Sequence, residues 1–485
     1  MLLFRYISPW EACWSGTTHQ DQQWIKKLFT YTDFSDLYYK KRFGHFPTCC
    51  VLDTVEHRIS HGQIRQVIKA AEDAPEIQIQ VEDPYPRHSL QTNRVPENWL
   101  PRIQLRDYQS LVTEIVAARG HGIVQIGTGG GKTVIMGAVI KYLMEQSQCA
   151  GLLVLIYSKT LLNQTTRRLI EYGISPDDIG IIHSDVSPQD QALASQKRIV
   201  LSTHLSITKF RQTIDRCEFV ICDEAHQVVG PLWTQLFSLL PNLRNVVGFT
   251  ATPWDDDNER FGMLSIFGQL LCDIPTKFLI ERGYLMNPES YFVRMTYQDR
   301  DKEVIAAMDH NEAKKQFIIE DKNRNLLPIV TLRKFGGRML VLYETISHGK
   351  ALQKLYEKEG FETRLADGST SEKKRESAVS WFEEDCKPGE HGKVMLGSRI
   401  FDIGLDLQGG CDILWVMAAG KKIGRQKQRL GRSLRPNRSG RLMIFDCWDG
   451  NHPTLARWSG FRKKAQREIG IVPQTITVEE FTELT

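Results

Sequence analysis

The chain has 485 residues, with 62 Lys and Arg against 58 Asp and Glu, 41% apolar side chains and ten cysteines. That length exceeds one ordinary core and predicts two or three domains. A formal net charge of only +4 excludes a globally basic nucleic-acid binder, so any electrostatic footprint must be local. The cysteines show no C-x-x-C pair and no Cys/His spacing suited to zinc, and they read as reduced thiols of a cytosolic protein. No apolar run is long enough to span a bilayer, and the first residues do not read as a secretion signal.

Residues 1–97 are crowded with aromatics, among them Trp10, Trp14, Trp24, Phe29, Tyr31 and Phe46, and carry one helical pattern over 59–71. They predict a small α+β accessory domain whose aromatics are mostly core. Tyr38-Tyr-Lys-Lys-Arg-Phe43 is the exception, because interleaved basic and aromatic side chains suit stacking on unpaired bases. A Pro-rich passage from Asp83 to Pro96 reads as a linker.

From Leu105 onward, short apolar runs at 122–126, 152–157, 199–202, 219–222 and 246–250 alternate with helical patterns. This predicts a doubly wound parallel sheet. The alternation resumes at 339–343, 363–366, 393–397, 413–417 and 442–446, which predicts a second α/β sheet domain. Residues 280–293 read as a bridge between them. The resulting boundaries are 1–97, 98–280, 281–450 and a C-terminal extension over 451–485.

The chemistry concentrates in two segments. Ile126-Gly-Thr-Gly-Gly-Gly-Lys-Thr133 follows a predicted strand and opens a predicted helix, the context of a phosphate-binding loop. Thr128, Gly129, Gly130 and Gly131 cradle phosphates, Lys132 reaches the outer ones and Thr133 is able to ligate magnesium. Ile126 stands where the general consensus has glycine, a departure outside the glycines that flank the phosphates. Phe219-Val-Ile-Cys-Asp-Glu-Ala-His226 puts Asp223, suited to hold magnesium, and Glu224, suited to deprotonate a water, at the end of a buried strand. An isolated Asp-Glu pair reads more simply as a solvated turn, but its position after a phosphate loop reverses that preference.

The second segment is Gln428-Arg-Leu-Gly-Arg-Ser-Leu-Arg435. Its rigid guanidinium groups, Arg432 and Arg435, are suited to neutralise a transferring phosphoryl group if a domain movement delivers them. It lies within a strongly basic stretch, residues 421–467, whose only acidic residues are Asp446 and Asp449. The plainest reading of that stretch is a solvated basic face.

Asp223-Glu-Ala-His226, Thr250-Ala-Thr-Pro253 and the Gln428–Arg435 segment, in that order after Gly-Lys-Thr, resemble the superfamily 2 helicases and translocases. The resemblance covers about 105–467 and is closest to phage recombination helicases of the UvsW type and the related XPB-like group. It implies two tandem RecA-like parallel-sheet domains preceded by the small α+β domain, ATP and Mg2+ as cofactors, and DNA as partner, with RNA in hybrids as a secondary expectation. It implies branch migration or unwinding in recombination, repair or replication, in a bacterial or phage-infected cytoplasm.

Residue by residue, Leu105-Arg-Asp-Tyr-Gln109 looks like the adenine-reading segment, with Arg106 and Gln109 as nucleotide contacts. Ser158, Lys159 and Gln164, then Ser202, Thr203 and His204, match strand-contacting motifs. Thr250 and Thr252 couple the nucleotide site to the strand path. In the second sheet domain Ser398 matches a strand contact, Gly404 and Asp406 face the nucleotide, and Gln428 joins Arg432 and Arg435 in the catalytic set. Rival readings are an RNA helicase, the motor of a restriction or remodelling system, and a DNA clamp without turnover. The presence of Glu224 and both arginines counts against the last.

Overall fold

The structure, a computed structural model, describes residues 1–6, 11–16, 18–32, 48–50, 58–82, 94–146, 149–228, 233, 236–237, 239–254, 256–295, 302–366, 370–384, 386, 392–398, 407, 409–417 and 423–485. The chain forms two compact units, Met1–Ile126 with Gly131–Asp273, and Gly127–Gly130 with Ile274–Thr485.

The N-terminal segment contributes β1 (Leu2–Tyr6), β2 (Glu11–Gly16), β3 (Thr30–Thr32), β4 (Thr48–Cys50), β5 (Arg58–Ser60) and β6 (Ile79–Glu82). Four of these form a mixed sheet in the order β5-β2-β1-β6, and β3 pairs with β4. Phe4, Trp14, Ile25, Phe29 and Val67 fill its core, so these aromatics are packing groups, as expected. The core continues onto Phe261 of the helix Asp257–Phe267, and the Gln269 amide donates to the Arg65 carbonyl at 3.0 Å. The accessory sheet is thus packed on the first sheet domain within one unit. Tyr38–Phe43 and the stretch 83–93 lie outside the described residues.

The first large sheet contains β7 (Gly122–Ile126), β8 (Leu152–Leu155), β9 (Ile179–Ile182), β10 (Ile199–Ser202), β11 (Phe219–Asp223), β12 (Asn245–Thr250) and β13 (Leu270–Ile274), in the order β13-β7-β12-β11-β8-β10-β9. Every residue of β8, β10, β11 and β12 is buried. Continuous apolar runs give strands covered by helices on both faces, which is why they lack the alternation of a half-exposed sheet. The paired strands run parallel, so their carboxyl ends emerge along one edge. In such sheets that edge is where ligands bind.

The second large sheet contains β14 (Glu289–Met295), β15 (Arg338–Leu342), β16 (Glu362–Ala366), β17 (Lys393–Gly397), β18 (Ile413–Val416), β19 (Met443–Asp449) and β20 (Gln474–Ile476), in the order β16-β17-β15-β18-β19-β14-β20. It is parallel throughout. Two sequence expectations bear on this sheet. The bridge expected over 280–293 is shorter than that, because from Glu289 onward the chain is already β14, which lies within this sheet between β19 and β20. The C-terminal extension, residues 451–485, contributes the helix Pro453–Glu468, β20 and the helix Val478–Leu484 to the same unit.

Phe481 is 1% exposed and sits edge-on to Trp415 and Phe445, with ring centroids 5.9 Å and 5.8 Å away. Its replacement removes a buried aromatic from the centre of the second core. Phe481→Ala is expected to destabilise that unit by about 3–5 kcal/mol, read as a shift in the urea midpoint. A shift no larger than that of an exposed substitution would mean that the C-terminal segment is not part of the core.

Candidate nucleotide and nucleic-acid site

The phosphate loop joins β7 to the helix Lys132–Gln146. Gly129 and Gly131 have φ of 84° and 82°, in the left-handed region that favours glycine. A Cβ on Gly131 would run into the Gln109 amide. Gln109 is itself 3% exposed and its Oε1 accepts from the Arg106 backbone N–H at 2.9 Å. The Leu105–Gln109 segment is therefore built against the last glycine of the loop. Arg106 also donates to the Tyr108 hydroxyl at 3.1 Å.

Two strands away from β7, β11 ends at Asp223, and the chain turns sharply at Glu224. That residue, at φ 47° and ψ 51°, is the one described non-glycine with positive φ. Backbone strain of this kind recurs at functional sites. The turn leaves the Glu224 carboxylate 3.3 Å from Lys132 Nζ, with side chains 21% and 13% exposed, so the pair is accessible but largely desolvated. Asp223 Oδ1 accepts the Glu224 N–H at 2.9 Å, which fixes the carboxylate at the strand end.

His226, to which motif spacing assigns no role, lies between the two motifs. Its Nδ1 lies 3.5 Å from Glu224 Oε2 and 3.0 Å from Thr250 Oγ1. With Nε2 accepting from the Gln227 amide at 2.7 Å, Nδ1 is assigned the ring proton and donates it to Thr250 Oγ1, while Glu224 Oε2 approaches Nδ1 without a hydrogen bond. Thr250 Oγ1 in turn accepts the Thr252 N–H at 3.2 Å, locking the Thr250–Pro253 turn. The signal in the sequence was the histidine of Asp-Glu-Ala-His, three residues after a strand-end carboxylate.

The strand-contact candidates of this unit cluster beyond the same sheet edge. Ser158 caps the helix Lys159–Glu171, accepting the Leu161 N–H at 3.3 Å. Lys159 is exposed and pairs with Asp185 at 2.7 Å, and that hydrogen bond holds the Asp185 carboxyl below its ordinary range. Gln164 and Thr203 are half-buried. His204 packs on Trp233 with centroids 4.5 Å apart, and burial lowers its imidazole pKa. Ser202 departs from expectation. It is fully buried, and its hydroxyl lies 3.0 Å from the carbonyls of Ile182 and Thr203, so it is a framework group rather than a surface contact.

In the second unit Gln428 and Arg432 lie one turn apart on the helix Ile423–Ser433, both half-buried. Arg435 follows that helix and donates to the Leu407 carbonyl at 3.3 Å. Ser398 follows β17 and is half-buried. Gly404 and Asp406 lie outside the described residues. Among the described residues no cluster of three or more His, Cys, Asp or Glu could hold a metal. Thr133 and Asp223 suit magnesium that takes most of its ligands from water and phosphate. Cys13, Cys149, Cys217, Cys222, Cys272, Cys411 and Cys447 are free thiols. No helix among the described residues is long and apolar enough to cross a membrane.

Residues 102–255 match the family described as type III restriction enzyme, res subunit, and residues 321–437 match the helicase conserved C-terminal domain. A relative named DNA 3'-5' helicase XPB from Mycobacterium tuberculosis is 24% identical over 386 residues, covering 77% of this chain and 65% of that protein. The solved structure of T4 UvsW covers 98% of this chain and 99% of its own at 16% identity, with a TM-score of 0.47. Saccharomyces cerevisiae Dbp5 bound to RNA and ADP BeF3 covers 80% of this chain and 94% of its own at 15% identity, with a TM-score of 0.57. The chain spans between 52% and 65% of the length of the first curated relatives it matches.

Gly131→Ala places a Cβ in the left-handed region and against the Gln109 amide. The loop then relaxes out of its cradle geometry, and a strain of about 1–2 kcal/mol is felt on nucleotide binding. ATP affinity, measured by titration of a fluorescent analogue, is expected to fall roughly 5- to 30-fold. Unchanged affinity would remove this glycine from the site.

Proposed function

The chain belongs to the superfamily 2 helicases, and on that premise we propose that it is an ATP-dependent DNA helicase or translocase of the DEAH type. It unwinds or branch-migrates forked and junction DNA in recombination, repair or replication. The observation that supports this reading most strongly is the unbroken line Lys132, Glu224, His226, Thr250, which joins a phosphate loop to the coupling turn.

In this reading Gln109 and Arg106 receive the base, and the backbone of residues 128–131 receives the phosphates. Thr133 and Asp223 hold Mg2+, which neutralises phosphate charge when bound. Lys132, paired with Glu224 here, turns to the outer phosphates and frees the Glu224 carboxylate to orient a water and take its proton. Arg432 and Arg435, with Gln428, stabilise the charge that develops on the transferring group. Ser158, Lys159, Gln164, Thr203 and His204, with Ser398 in the second sheet domain, track the backbone of one strand without reading its bases.

Turnover compared on single strands, forks, four-way junctions and RNA–DNA hybrids at one salt concentration tests the substrate class. Stimulation by branched DNA above hybrids is the expected order, and stimulation by RNA alone would contradict it. Glu224→Gln should retain ATP affinity while turnover collapses. Arg432→Ala should lower turnover by ~10³-fold or more with ATP affinity nearly intact. A variant of either kind with near wild-type turnover would remove that residue from the catalytic set.

A further inference from the structure

The second unit carries a cationic cluster that the motor chemistry does not use. The helix Pro453–Glu468 packs beside the helix Ile423–Ser433, and Lys427 Nζ bridges them to Glu468 Oε2 at 2.7 Å. Lys464 Nζ approaches the other oxygen of the same carboxylate at 3.7 Å. Arg467 is exposed on the same last turn and has no ion-pair partner among the described residues. Arg294 is exposed on β14, and Lys277 lays its stem against Gly470, where a Cβ would come within 2.9 Å of Lys277 Cγ.

Lys463 shows how crowded this region is with positive charge. Its ammonium is pinned by the Thr475 hydroxyl and by the Phe292 and Trp448 rings at 5.9 Å and 5.8 Å. Burial, with Arg467 and Arg294 nearby, lowers its pKa below the ordinary lysine value. Glu468 and Glu281 are the carboxylates paired with cations of the group, and Glu281 only loosely, at 3.8 Å from Lys277. Cations in the last turn of a helix do offset its dipole. That accounts for Lys463, Lys464 and Arg467 but not for Lys277 or Arg294, which come from other elements.

We propose that Lys277, Arg294, Lys464 and Arg467, arranged around the end of the helix Pro453–Glu468, form a second phosphate-backbone contact that grips the duplex arm of branched DNA. The inference rests on the DNA reading given above and names a substrate contact outside the strand path. A duplex fits better than a single strand because the cluster offers charge without a stacking surface. Phe292 is buried and Trp448 is half-buried beneath Lys463, whereas single-strand sites combine charge with exposed rings.

The test is a salt series of fluorescence anisotropy on a forked duplex and on oligo(dT), using the combined variant Lys277→Ala, Arg294→Ala, Lys464→Ala, Arg467→Ala. A charge-matched control replaces the exposed Lys334, Lys350, Lys354 and Lys358. The slope of log affinity against log salt on the fork is expected to shrink by about 0.9 for each lost phosphate contact. Oligo(dT) binding and oligo(dT)-stimulated turnover should match wild type. A fork slope equal to the control's overturns the proposal, and so does an equal loss on oligo(dT), which would put the cluster in the strand path. Because binding is read directly, absent turnover in the wild type would count against the helicase reading and not against this contact.

Discussion

The Lys132–Glu224 pair depends on one constraint, that β7 and β11 are parallel and separated only by β12, so both end at the same edge. Sheet geometry brings a loop lysine and a strand-end carboxylate within 3.3 Å although 92 positions (224 − 132) separate them in the chain. The strand between them ends in Thr250, and His226 reaches across to it. The proximity of Lys132, Glu224, His226 and the Thr250–Pro253 turn is therefore a consequence of a single strand order. Burial of all five residues of β11 makes the arrangement rigid, and the left-handed turn at Glu224 releases the chain only after the carboxylates are set.

The second sheet domain is organised by a different interaction. Arg462, 1% exposed, donates to Asp446 at 2.9 Å, to Asp449 at 3.3 Å and to the Cys447 carbonyl at 2.8 Å, while Arg324 also pairs with Asp449. Buried ions stabilise little net of their desolvation, but removing one partner leaves the others uncompensated. Their effect here is positional. They clamp the helix Pro453–Glu468 and the helix Lys322–Phe335 onto the end of β19, which holds the cations of the former helix in one place.

Much of this was legible in the sequence because parallel strands buried on both faces read as unbroken apolar runs. The ten predicted strands coincide with the central strands of the two large sheets and with the edge strand β16. Three of the four missed strands are sheet edges, and the fourth is broken by polar residues. β9 and β13 are the two edges of the first sheet, β20 is an edge of the second and β14 lies next to it. β9 contains Gly180, β13 is nowhere fully buried, β20 carries Gln474 and Thr475, and β14 is interrupted by Glu289, Ser290 and Arg294. Edge strands need less apolar surface and so announce themselves less. The candidate residues of the phosphate loop, the Asp223-Glu224 pair and the two arginines came from motif spacing and the remaining candidates from the family resemblance, whereas the contact between His226 and Thr250 and the burial of Ser202 needed three dimensions.

The central claim is that this line of contacts makes hydrolysis responsive to nucleic acid. The most direct measurement is the ratio of DNA-stimulated to basal ATP turnover in Thr250→Val, which keeps the side-chain shape and removes the hydroxyl that meets His226. The account predicts that the ratio falls toward unity while the protein still binds DNA. A ratio equal to that of the wild type would contradict it.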